Sequence, residues 1–108
     1  MKKNKQKYFK IKFIFSKTKD MCYISHLDLM RLFMRAARRA ALPLYFTEGF
    51  SPHPKLSIKR ALKLGLESEN EEAEILLTRR INPRLFSFRL NRKLPNGIRI
   101  KQAINLFN

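Results

Sequence analysis

From Tyr8 the chain alternates between apolar and basic positions. Phe9, Ile11, Phe13 and Phe15 fall on one side, and Tyr8, Lys10, Lys12 and Ile14 on the other. A period of two predicts a half-buried strand over residues 8–15 with a lysine-rich outer face. After Ser25 the period lengthens. Leu29, Met30, Phe33, Met34, Ala37, Ala40 and Ala41 share one broad face of a helical wheel, and Arg31, Arg35, Arg38 and Arg39 lie opposite with Asp28. This predicts a helix over 25–42. Ser25 and Asp28 open it in the manner of a capping box, with Asp in place of the usual Glu or Gln, and Pro43 stops it.

Residues 44–47 predict a short strand that Gly49 ends. The segment Phe50-Ser51-Pro52-His53-Pro54 is extended or turning, because each proline restricts its predecessor. Strand-like pieces recur at 56–58 and 62–66, and 68–70 reads as a turn. Ala73, Ile75 and Leu77 alternate in a strand over 72–79. Asn82 and Pro83 mark the start of a second helix, which carries Leu85, Phe86 and Leu90 and ends before Pro95. Asn96-Gly97 is a turn before a last strand at 98–101. With the pieces between 44 and 66 counted as one strand, the order is βαββαβ. That order predicts an α+β, ferredoxin-like fold, an antiparallel sheet with two helices on one face. Residues 1–7 form a basic arm, and 8–108 a single domain.

Composition changes this picture through charge. The chain has 108 residues, 44% of them hydrophobic, which suits one domain with a modest core. It carries 24 Lys and Arg against 8 Asp and Glu, a net charge of +16. Self-repulsion at that charge destabilises a compact state unless a polyanion is close, and nucleic acid is the first candidate. The charge is also segregated. Five glutamates (Glu67, Glu69, Glu71, Glu72 and Glu74) stand in 67–78 without a single base, and 79–108 has 8 bases without an acid. This predicts one acidic edge on an otherwise basic surface. Aromatic residues lie among the bases: Tyr8, Phe9, Tyr45, Phe46, Phe50 and Phe88. Phe9, Phe13, Phe15 and Phe33 read as core, and Tyr8, Tyr23 and Tyr45 are the better candidates for stacking unpaired bases.

Other chemistry is sparse. The single cysteine, Cys22, excludes an internal disulfide and any zinc or iron–sulfur site that needs several thiolates from this chain. A lone thiol fits a reducing cytoplasm. No apolar run is long enough for a secretory signal or a membrane span, so the expected setting is cytoplasmic, with no membrane contact. No phosphate-binding or hydrolase motif occurs, no metal is expected, and no cofactor is expected. The two histidines, His26 and His53, have the chemistry for metal-independent RNA cleavage, with Arg31 and Lys55 as nearby cations. The plainer expectation is that His26 bonds its loop and His53 stiffens a proline turn.

Several segments together resemble a known family. They are Phe15-Ser16-Lys17-Thr18, Tyr23-Ile24-Ser25-His26-Leu27-Asp28-Leu29-Met30-Arg31, Arg38-Arg39-Ala40 with Leu42-Pro43, and Glu48-Gly49-Phe50-Ser51-Pro52-His53-Pro54-Lys55-Leu56-Ser57. Ala61-Leu62, Leu64-Gly65, Glu67-Ser68, Leu90-Asn91, Leu94-Pro95 and Gly97 continue the pattern. In these the chain resembles the radical-SAM-linked proteins, a bacterial domain family of unknown function found beside or fused to radical SAM proteins. The resemblance implies a radical SAM partner and an RNA-processing setting. Family members run to about twice this length, so the chain looks like their N-terminal half. Arg60 and Lys63 stand where the family often has proline, and Lys19 and Lys59 where it often has glycine.

Three expectations follow. The first is an RNA-binding accessory module for rRNA or tRNA, acting with a radical SAM or other RNA-processing enzyme. Its phosphate contacts would be Arg31, Arg35, Arg38, Arg39, Lys55, Lys59 and Arg60. A motif loop would stand beside them, built from Ser25, His26, Asp28, Glu48, Gly49, Ser51, Pro52, His53 and Pro54. The second is a metal-independent endoribonuclease using His26 or His53. The third is a protein–protein adaptor whose glutamates in 67–74 dock a partner.

Overall fold

A computed structural model describes residues 8–106; the basic arm at 1–7 lies outside the described residues. The alternating segment forms β1, Phe9–Lys17, with Ile11, Phe13 and Phe15 buried and Lys10, Lys12 and Ile14 half-exposed on the other face. β1 is an inner strand. It pairs antiparallel with β3, Ser68–Leu77, on one side and with β4, Ile98–Leu106, on the other. A three-residue strand β2, Leu56–Ile58, pairs antiparallel with β3 and completes a sheet of order β2-β3-β1-β4.

Helix α1, His26–Arg39, follows β1, and helix α2, Pro83–Asn91, follows β3. Each helix therefore connects two parallel strands that have an antiparallel strand between them. Both pack on the face that carries Phe13. The Phe13 ring lies 5.6 Å from Phe33 of α1 and 5.6 Å from Phe86 of α2. Ile11, Ile75, Leu77, Leu90 and Ile98 fill in around them. The fold is thus α+β, with a four-stranded antiparallel sheet and two helices.

The helix signals act as their residue types predict. The Ser25 hydroxyl accepts the Asp28 backbone N–H at 3.1 Å, and the Asn82 side chain accepts that of Arg84 at 2.8 Å. The end of α1 differs from the expected Leu42. Ala41 turns left-handed (φ 56°), its N–H reaches Arg38 O, and Leu42 N–H reaches Ala37 O. That reverse turn stops the helix before Pro43 is reached. The buried face is also centred differently: Ala36 is buried, whereas Met30 and Met34 are half-exposed and Ala41 is exposed.

Three strand expectations are corrected. Residues 44–47 form no strand; Leu44 and Phe46 make only isolated bridges, to Leu77 and Pro54. Pro52 and Pro54 have no N–H to extend a ladder there. Residues 62–66 turn instead of extending, with Gly65 N–H donating to Cys22 O and Leu66 N–H to Lys63 O. The polar residues 68–70 are not a turn but the start of β3, because Lys17 of β1 pairs with Ser68. Pairing with an inner strand overrides local propensity at that point.

Candidate nucleic-acid interface

The glutamates of 67–74 do not form a free acidic edge. They lie on and beside β3, an inner strand, and lysines pair with Glu69, Glu72 and Glu74. Lys10 pairs with Glu74 at 3.3 Å, Lys12 with Glu72 at 2.9 Å, Lys59 with Glu72 at 3.3 Å and Lys101 with Glu69 at 3.0 Å. Glu67 accepts the backbone N–H of Lys19 at 2.7 Å. Hydrogen bonds from Lys12 and Lys59 hold the Glu72 carboxyl below the ordinary glutamate range. The face of the sheet away from the helices is therefore nearly neutralised by cross-strand pairs.

Glu71 points to the other side and is buried, at 2% exposure. Arg60 grips it through Nε at 3.0 Å and a terminal nitrogen at 2.8 Å, and the Ser68 hydroxyl donates to it at 2.5 Å. The Arg60 hydrogen bond is the main cause that lowers the Glu71 pKa; burial opposes it, and Ser68 and the Lys17 charge assist. Lys17, itself buried, donates its ammonium to Ile24 O at 3.1 Å. Arg60 and Lys59, both expected at phosphate, are thus held by carboxylates.

The arginine stripe of α1 divides. Arg31 pairs with Asp28 at 3.4 Å. Arg38 lies over the Phe46 ring at 5.5 Å from its centroid. Arg35 and Arg39 line a groove of about 460 Å³ with Arg92 and Lys93, which follow α2, over a floor that includes Met21, Leu32 and Leu94. A second groove of about 300 Å³ abuts the first and shares Arg39, Arg92 and Lys93 with it. Arg89, Leu85 and Phe88 line the second groove with Ala40 and Ala41. Phe88 is 59% exposed, and the Arg92 guanidinium lies over its ring at 5.6 Å. Among the described residues, no carboxylate pairs with Arg35, Arg39, Arg89, Arg92 or Lys93. The seam between the helices thus concentrates unneutralised cations. Arg89, Arg92 and Lys93 were not among the expected contacts. Their signal was present in the acid-free run of bases at 79–108.

The motif loop folds on itself. Thr47 N–H donates to His53 O at 2.8 Å, His53 N–H to the Thr47 hydroxyl at 3.2 Å, and Lys55 N–H to Tyr45 O at 3.0 Å. His53 Nδ1 sits 2.9 Å from Ser51 O. Glu48, Gly49, Phe50, Ser51 and Pro52 are exposed at the tip, and Pro54 is buried beneath them. Lys55 is exposed beside Tyr8 and Tyr45, whose rings meet edge-on at 5.5 Å. Tyr23 stands apart and exposed.

His26 is the first residue of α1, and its buried Nδ1 has no hydrogen-bond partner. The His53 loop follows the other end of that helix. Among the described residues, no three His, Cys, Asp or Glu side chains converge as a metal site. No helix among them is long and apolar enough to cross a membrane.

Residues 10–108 match the protein family described as "Uncharacterized protein conserved in bacteria (DUF2344)". The chain belongs to that family. No curated protein and no solved structure matches it. The match spans both helices, the four strands except Phe9 and every residue of the seam, so the cationic grooves lie wholly inside the family's domain.

Proposed function

We propose that this protein is an RNA-binding accessory module that holds the phosphate backbone along the α1–α2 seam. The supporting observation is the division of charge. The sheet's lysines are paired with glutamates, whereas Arg35, Arg39, Arg89, Arg92 and Lys93 border two joined grooves with no acid. Arginine suits phosphate by its forked geometry, and clustered neighbours of one sign favour a polyanion. We read the architecture as ferredoxin-like βαββαβ, supported by the two interleaved crossovers and the order β2-β3-β1-β4. The setting is the cytoplasm, where a buried single thiol such as Cys22 stays reduced. The resemblance of the Ser25–Asp28 and Glu48–Ser57 segments to radical-SAM-linked proteins supports a radical SAM partner that modifies the bound rRNA or tRNA. The adaptor reading draws no support from glutamates already paired.

Titration of the full chain with a labelled RNA across a salt series tests phosphate binding. Affinity should fall with a log–log slope of roughly 0.7 to 0.9 per phosphate neutralised. The double variant Arg39→Gln, Arg92→Gln should lower that slope by about 1.5, and Lys12→Gln, which breaks a sheet pair, should leave it unchanged. Affinity indifferent to salt overturns the proposal.

A further inference from the structure

The seam combines two features that phosphate binding alone does not call for. Phe88 exposes more than half of its surface between Leu85 and Arg89 of α2 and Arg92 at its C-cap. Its neighbour Arg92 already lies over the ring at 5.6 Å from the centroid. The cations common to both grooves, Arg39, Arg92 and Lys93, stand between this aromatic platform and the apolar floor around Leu32 and Leu94.

From this we infer that the seam takes single-stranded RNA in preference to duplex, with a phosphate on Arg39, Arg92 and Lys93 and an unpaired base stacked on Phe88. The inference rests on the phosphate-binding reading above and names its substrate class. An A-form duplex offers the same phosphates but keeps its bases stacked inside, out of reach of Phe88. An unpaired strand offers both in alternation, as basic grooves with aromatic platforms require. Apolar side chains flanking the cations, Leu85 on one side and Leu32 on the other, suit ribose and base surfaces better than a second row of phosphates. Among the described residues, the sheet face lacks such a platform. Its exposed positions carry the Lys–Glu pairs, and Tyr8 and Tyr45 at its end pack against each other.

Fluorescence anisotropy of the full chain tests this with a short unstructured oligoribonucleotide and the same strand annealed to its complement. The single strand should bind about tenfold more tightly, and Phe88→Ala should remove about that factor while leaving the salt slope and duplex affinity unchanged. Phe88→Tyr should restore single-strand binding. Retained duplex affinity also shows that Phe88→Ala is folded. Equal affinity for the two forms, or a Phe88→Ala variant within twofold of the parent on the single strand, overturns the stacking inference and leaves phosphate binding standing. No salt-dependent binding of either form overturns both.

Discussion

Glu71 shows how much one side chain holds in place. Arg60, Ser68 and the charge of buried Lys17 all converge on it. Removing it leaves the Lys17 ammonium buried without its countercharge. Glu71→Ala should therefore cost about 3 kcal/mol of unfolding free energy, read by chemical denaturation. The pH dependence has a fixed sign. A carboxyl whose folded pKa is depressed stabilises the protein above the ordinary glutamate pKa of about 4.3, and that stability is lost as pH falls through the folded value. Melting temperature should drop below about pH 4 more steeply in the parent than in Glu71→Gln. Identical pH profiles for the two would remove Glu71 from this role. Nothing local marks Glu71 in the sequence among its neighbouring glutamates. Its burial follows from its register opposite Phe15, one position out of phase with Glu72 and Glu74, which face solvent.

Between elements, the connection from β1 to α1 is braced by the turn before β4. Gly97 has φ +97°, and its carbonyl accepts the Thr18 N–H at 2.8 Å. A Cβ on Gly97 would lie 2.6 Å from Thr18 O and 2.8 Å from Met21 Cγ. Gly97→Ala should thus destabilise the protein by about 2 kcal/mol, from left-handed backbone strain and the clash together, measured in urea. A cost near zero would mean that the 3₁₀ turn Lys19–Tyr23 yields freely. The Asn91 side chain ties α2 to β4 in parallel, accepting Ile100 N–H at 2.7 Å and donating to Ile100 O at 3.1 Å. Lys19, where the resembled proteins often carry glycine, is itself left-handed at φ 55°.

At the scale of the molecule, the net charge of +16 acts as a field with a direction. Pairing of Lys10, Lys12, Lys59 and Lys101 with glutamates offsets charge on the sheet face and leaves an excess that includes Arg35, Arg39, Arg89, Arg92 and Lys93 at the seam. Repulsion within that excess opposes folding. Melting temperature should rise by several degrees when salt increases from about 20 mM to about 300 mM, since screening relieves repulsion more than it weakens exposed pairs. A falling melting temperature would show that the sheet pairs dominate.

Amino-acid order alone settled the number and type of the long elements. The alternation at 8–15, the Ser25 cap and the Asn82-Pro83 start are local signals, and local geometry obeyed them. Short elements were less legible. The start of β3 at Ser68 and the loss of a strand at 44–47 depend on which chain lies alongside and on which residues can donate to it. For the candidate site, the census of bases and acids was readable, including the acid-free stretch at 79–108. Only the tertiary structure decided which charges meet. Cross-strand register brought Glu72 and Glu74 to Lys12 and Lys10, and helix packing set Arg35 and Arg39 beside Arg92 and Lys93. Charge on a surface is a long-range property of position, and position is set by the packing of residues distant in sequence.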